Sequence, residues 1–154
     1  MGGNLNADAM YYVAPAPGNL FQGSYVISFP VDPTLHTKAF WSITVYNEKQ
    51  FVVGAPDGYP NEKLGVCIIN NMNTDIFIDP DTGYVTIYLQ REKPVGYPDS
   101  ANWLCTPADN EPFQMTFRGY WPDNTFVEFT FPMAGIYTTL NELPCKPPVN
   151  VTMA

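Results

Sequence analysis

A chain of 154 residues with 45% hydrophobic and 14% charged side chains carries enough apolar surface for one packed domain, which excludes a disordered chain. The formal net charge is −8, and the Lys and Arg residues, 7 in all, are scattered. That excludes the clustered cations that a nucleic-acid groove or an anionic membrane surface requires. No stretch reaches membrane-spanning length, and the opening MGGNLNADAM has neither the basic nor the apolar region of a secretory signal. An intracellular protein is expected.

Residues 1–22 are rich in Gly, Asn, Ala and Pro and carry no period, which reads as an extended N-terminal arm. Alternation starts at Gly23 and runs to Phe29, with Tyr25, Ile27 and Phe29 on one face, until Pro30 and Pro33 close the run. Ala39 to Asn47 is the clearest strand: Trp41, Ile43 and Val45 alternate with Ser42, Thr44 and Tyr46. Phe51 to Val53 continues it briefly, and Leu64 to Ile69 reads as a buried run. Asp75 to Ile78 and Tyr84 to Gln90 flank Asp79-Pro80-Asp81-Thr82-Gly83, whose turn chemistry predicts a hairpin. A loop from Glu92 to Asp109 leads to a long strand over Pro112 to Trp121, then a further strand over Thr125 to Phe131. Beyond that the chain is punctuated by proline: Ile136 to Glu142 alone has the pattern of a helical turn, and residues 136–154 read as a Pro-rich tail.

About eight strands without a long amphipathic helix predict an all-β fold, a jelly-roll-like antiparallel β-sandwich in a single domain over residues 23–135 with extended termini. The aromatic share of 15% agrees, because flat rings pack well on a pleated sheet. The cysteines Cys67, Cys105 and Cys145 are odd in number and contain no CxxC pair, so no zinc site is expected. Their simplest reading is free thiols in a reducing compartment, with one disulfide left open as the alternative.

Three segments together carry a family resemblance: Ala39-Phe40-Trp41-Ser42-Ile43-Thr44-Val45-Tyr46, Asn102-Trp103-Leu104, and Phe117-Arg118-Gly119-Tyr120-Trp121-Pro122. In order and spacing they resemble domain of unknown function 1214 over about residues 23–135. Asp81-Thr82-Gly83-Tyr84 stands where that family has a "DGS" turn, and Trp103-Leu104-Cys105-Thr106-Pro107 where it has "WLPAP". The resemblance implies a jelly-roll-like sandwich and no established reaction. It also implies a usual companion, domain of unknown function 1254, ahead of this one in a longer chain.

No complete catalytic set is legible. The single histidine, His36, precedes the FWS strand without a GxSxG elbow, and a loop histidine is the favoured reading. A glycosidase needs two acids about 5–10 Å apart. Glu128 is the candidate, whereas Asp79, Asp81, Asp99 and Asp109 fall in turns where Asp bonds to backbone. The Asp79–Asp81 segment lacks EF-hand spacing, so a plain turn is favoured over calcium. No metal and no cofactor is expected.

Arg118 is more informative, because a guanidinium inside a strand needs a carboxylate, carbonyls or water. An internal strut to Glu128 or the Asn102 loop is one reading, and recognition of an acidic or hydroxylated ligand is the other. Ser42, Thr44 and Tyr46 share a strand face, as do Tyr84, Thr86 and Tyr88, and Thr116, Arg118 and Tyr120. Pairing of these strands would build a face of hydroxyls and tyrosine rings, suited to a partner surface or a sugar and equally to plain solvent. The candidate ligand- or partner-binding residues are Arg118, Tyr120, Trp121, Trp103, Asn102 and Tyr46.

Two functions follow as expectations. The first is a non-catalytic structural or interaction domain, with a protein partner or a second copy of itself, such as a subunit of a virion or a capsid-associated protein. The second is a module that binds a carbohydrate or small acid in a cleft lined by Trp103, Arg118, Tyr120 and Trp121, with hydrolase activity as an extension.

Overall fold

The computed structural model describes residues 8–14, 19–59, 64–72, 75–94, 102–128 and 130–138. Among them eight strands form two four-stranded sheets, packed as an all-β sandwich. In chain order the strands are β1 (Ala9–Ala14), β2 (Tyr25–Phe29), β3 (Trp41–Asn47), β4 (Ile68–Asn70), β5 (Val85–Leu89), β6 (Trp103–Leu104), β7 (Phe113–Tyr120) and β8 (Gly135–Tyr137). The first sheet has the order β1-β7-β3-β4, and the second β6-β5-β2-β8. All pairs are antiparallel except the short β5–β6 pair. Only the β3–β4 and β5–β6 connections stay within one sheet, so the chain winds repeatedly between the layers.

The core follows from the alternation. Ile43, Val45, Met115 and Phe117 of the first sheet face Ile27, Phe29, Val85 and Ile87 of the second, all of them buried. Trp41 is fully buried beside Phe29 and Phe117, with ring centroids 6.2 and 6.0 Å away, and its Nε1 donates to Thr34 Oγ1 at 3.0 Å. Each such side chain contributes roughly 1.5–3 kcal/mol by leaving water. Gly119 lies in this layer, opposite Trp41 in the register. A Cβ there would meet Thr37 Cγ2 at 3.1 Å and Phe126 Cε1 at 3.2 Å, so the absence of a side chain admits the Phe126 ring.

Several expectations are corrected. Part of the segment read as an arm, Ala9–Ala14, is an edge strand paired along its whole length with β7. Thr125 to Phe131 begins as a short helix, α1 (Asn124–Val127), rather than a strand. Asp123 caps it by accepting from the Thr125 and Phe126 N–H groups, and the bend carries Phe126 against Phe117 and Phe131. Gly135–Tyr137, at the start of the supposed helical turn, is strand β8 against β2; residues beyond 138 lie outside the described residues. The Glu92–Asp109 loop contains β6. The Asp79 turn forms as read, with Asp79 Oδ1 accepting from the Asp81 and Thr82 N–H groups, but Asp75 to Ile78 is not a strand.

The thiol reading is also corrected. Cys67 and Cys105 form a disulfide, fully buried, between the residue before β4 and the residue after β6. It staples one side of the sandwich, where the edges of the two sheets meet. Cys145 lies outside the described residues.

Candidate functional site

The outer face of the first sheet holds the candidate site. β3 and β7 are antiparallel neighbours with Ser42 opposite Arg118, Thr44 opposite Thr116 and Tyr46 opposite Gln114. Because side chains alternate across a strand, these residues share the face that points away from the core. β1 extends it, placing Tyr11 opposite Arg118 and Val13 opposite Thr116, and β4 adds Ile68 and Asn70. The result is a groove of about 500 Å³ lined by side chains of β3, β4 and β7 and by Phe40, Val52, Leu64 and Met72.

Among the described residues Arg118 is the only cation lining this groove. Its Nη1 donates to Thr44 Oγ1 at 3.1 Å and its Nη2 to the Tyr46 hydroxyl at 2.5 Å. The guanidinium lies 5.5 Å from the Tyr46 ring centroid and 5.8 Å from that of Tyr11, within cation–π range. Among the described residues it has no carboxylate partner. Among the described residues no strut to Glu128 or the Asn102 loop is formed: Glu128 ends α1, and Asn102 belongs to the other sheet's side.

Around the cation the floor is polar and buried, with Ser42, Thr44, Asn70 and Thr116 all below 8% exposure. Tyr120 forms one wall, stacked on Phe40 at 4.3 Å and edge-on to Tyr11 at 6.4 Å. Burial, reinforced by Tyr11, pushes the Tyr120 hydroxyl above its ordinary range and outweighs the opposing pull of Arg118, so it stays neutral at physiological pH. The site thus offers one fixed positive charge, neutral hydroxyls and aromatic edges.

Of the six residues singled out from sequence, the fold brings together Arg118, Tyr120 and Tyr46 and separates the other three. Asn102 is fully buried and structural: its Nδ2 donates to the Phe77 and Thr86 carbonyls, and its Oδ1 accepts from the Phe77 N–H. Trp103 is buried beside Tyr59, and its Nε1 donates to the Gln90 carbonyl at 2.9 Å. Trp121 is 60% exposed but lies outside the groove, with φ of 48°, a left-handed conformation that bulky residues rarely adopt. Tyr84, Thr86 and Tyr88 do not extend the polar face, since β5 belongs to the second sheet. Sequence reading missed Tyr11, Phe40 and Asn70. Alternation of Tyr11 and Val13 with Met10 and Tyr12 was the available signal for the first, hidden by its Gly- and Pro-rich flanks.

His36 forms a second polar cluster. Its Nδ1 meets Asp123 Oδ2 at 2.8 Å and Thr125 Oγ1 at 3.2 Å, and the ring packs edge-on against Phe131. Both polar contacts fall on one ring nitrogen, a geometry that anchors the α1 cap and not the two-sided relay of a triad. Burial raises the Asp123 carboxyl, but bonds from Thr125 and His36 and the Phe126 N–H prevail and hold it below its ordinary range.

Comparison with known proteins agrees with this architecture. The crystal structure of the VPA0106 protein from Vibrio parahaemolyticus superposes with a TM-score of 0.65 at 24% identity, over 89% of this chain and 32% of that one. The chain thus spans about a third of that protein's length, and the likeness is one of fold. No curated protein matches. The family model described as a protein of unknown function, DUF1214, matches residues 9–124, from the start of β1 to the start of α1, and the chain belongs to that family.

Proposed function

We propose that this chain is a non-catalytic binding domain whose working surface is the outer face of the first sheet. The observation that supports it is Arg118, a half-buried charge held on a sheet face by two neutral hydroxyls. Withdrawing a guanidinium from water is unfavourable without a compensating anion, and a purely structural strand position is better served by a neutral residue. Tyrosine-lined, partly apolar surfaces are typical of recognition, where a ring gives contact area and its hydroxyl a directed bond. Of the acids weighed for catalysis, Asp79 serves its turn and Glu128 stands at the C-cap of α1, and neither lines the groove.

A subunit role in a larger assembly, such as a virion, is the second reading. It is favoured by exposed apolar side chains beside this face, Leu64 at 46%, Phe51 at 67% and Met72 at 68% exposure. The buried disulfide fits it as well, because such bridges persist in oxidising settings that include virion surfaces.

Native mass spectrometry on protein isolated gently from its source tests both readings. A monomer with a bound small molecule, lost on Arg118→Gln, supports the binding domain. A stoichiometric oligomer or protein partner that survives Arg118→Gln supports the assembly reading and overturns the role given to Arg118.

A further inference from the structure

We infer that the groove takes a small, ring-bearing monocarboxylate with its carboxyl group on Arg118, an inference that rests on the reading of this face as the binding surface. The guanidinium is planar and forked, and its bonds to Thr44 Oγ1 and the Tyr46 hydroxyl fix its plane while leaving further N–H groups without a protein acceptor among the described residues. Both acceptors are neutral, so among the described residues the charge has no anionic partner. A carboxylate matches such a fork with two parallel bonds.

Charge argues for one carboxylate and against a polyanion. Arg118 is the single cation in the lining among the described residues, and the chain carries a net −8. A phosphate or sulfated polymer would meet one positive group inside a repelling field. A monocarboxylate leaves most of its body to be held by other contacts, and the groove supplies them. Tyr46, Tyr120 and Phe40 offer ring surfaces, Ile68 and Val66 an apolar side, and Ser42 a hydroxyl opposite Arg118 in the register. This combination suits a flat or pyranose ring bearing hydroxyls, either a hydroxylated aromatic acid or a sugar acid.

Titration of the full chain with 4-hydroxybenzoate and D-glucuronate, against 4-hydroxybenzamide and D-glucose as uncharged counterparts, tests this by amide-resolved NMR. One acid is expected to bind with Kd below about 1 mM, shifting amides of 42–46 and 114–120. Its uncharged counterpart and the Arg118→Gln variant should each bind at least about tenfold more weakly. Arg118→Lys, with a point charge and no fork, should recover part of the affinity. An unchanged amide spectrum outside the groove establishes that the variants fold. Equal binding of acid and neutral counterpart on this face overturns the carboxylate inference and leaves the face as the binding surface. Shifts confined to other surfaces overturn both. Failure of all four compounds to shift these amides overturns the inference.

Discussion

Replacing Cys67 and Cys105 together by alanine removes the one disulfide found between the two sheets among the described residues. The bridge spans a sequence separation of 38 residues, and closing a loop of that length restricts the unfolded chain by about 4 kcal/mol on the chain-entropy relation. Against a total stability of roughly 5–15 kcal/mol, that is a large fraction. At roughly 2–4 °C per kcal/mol for a chain of this size, Tm should fall by about 8–16 °C. Urea denaturation of wild type and variant gives the difference directly, with the same slope expected if the native surface is unchanged. Thiol titration supplies the chemical check. In denaturant without reductant, one free thiol should react, that of Cys145, and all 3 cysteines after reduction. Both sulfurs are fully buried, so reductant should act on the native protein only as fast as the β4–β6 side opens. Three reactive thiols before reduction, or a double variant within about 1 kcal/mol of wild type, would refute the reasoning.

Three further outcomes are expected. Asp79 is held below the ordinary carboxylate range chiefly by the Asp81 N–H, and Asp123 by contacts with Thr125 and His36 that outweigh its burial. Both folded values lie below the unfolded one, so their stabilisation is complete above about pH 4 and is lost as pH falls through the folded values. Urea midpoints from pH 7 to pH 2 should therefore drop less steeply in Asp79→Asn than in wild type, and an unchanged slope would contradict the assignment. Gly119→Ala should cost about 1–3 kcal/mol, because its methyl group would press on Thr37 and the Phe126 ring, and a neutral result in thermal melts would mean that this layer yields. Trp121→Gly should leave stability unchanged or raise it by up to about 1 kcal/mol, since the left-handed backbone is relieved and the exposed ring loses little packing. A clear loss in the same assay would show that the ring's contacts outweigh the strain.

Legibility in the sequence followed the range of the signals. Ser42, Thr44 and Tyr46 alternate within one strand, as do Thr116, Arg118 and Tyr120, so each half of the candidate face could be read locally. Tyr84, Thr86 and Tyr88 have the same alternation yet lie in the other sheet, because alternation states which residues share a face and not which strand lies beside it. Trp103 and Asn102 stood out by residue type, but their polar atoms are consumed by backbone partners that are distant in the chain: Gln90 for one, Phe77 and Thr86 for the other. The Thr125 to Phe131 segment had strand composition, and a local cap at Asp123 together with the pull of Phe126 toward the core overrode it.

By itself the sequence determined the all-β class, the long β3 and β7 strands, the Asp79 turn and the family, since these rest on period-2 patterning, turn chemistry and contiguous motifs. Only the tertiary structure decided that β7 lies between β1 and β3, that Cys67 meets Cys105, and that Arg118 faces Thr44 and Tyr46 with no carboxylate among the described residues. Those are pairings across tens of residues. They are selected by how two apolar sheet faces bury each other best, a property of the whole chain that no local window contains.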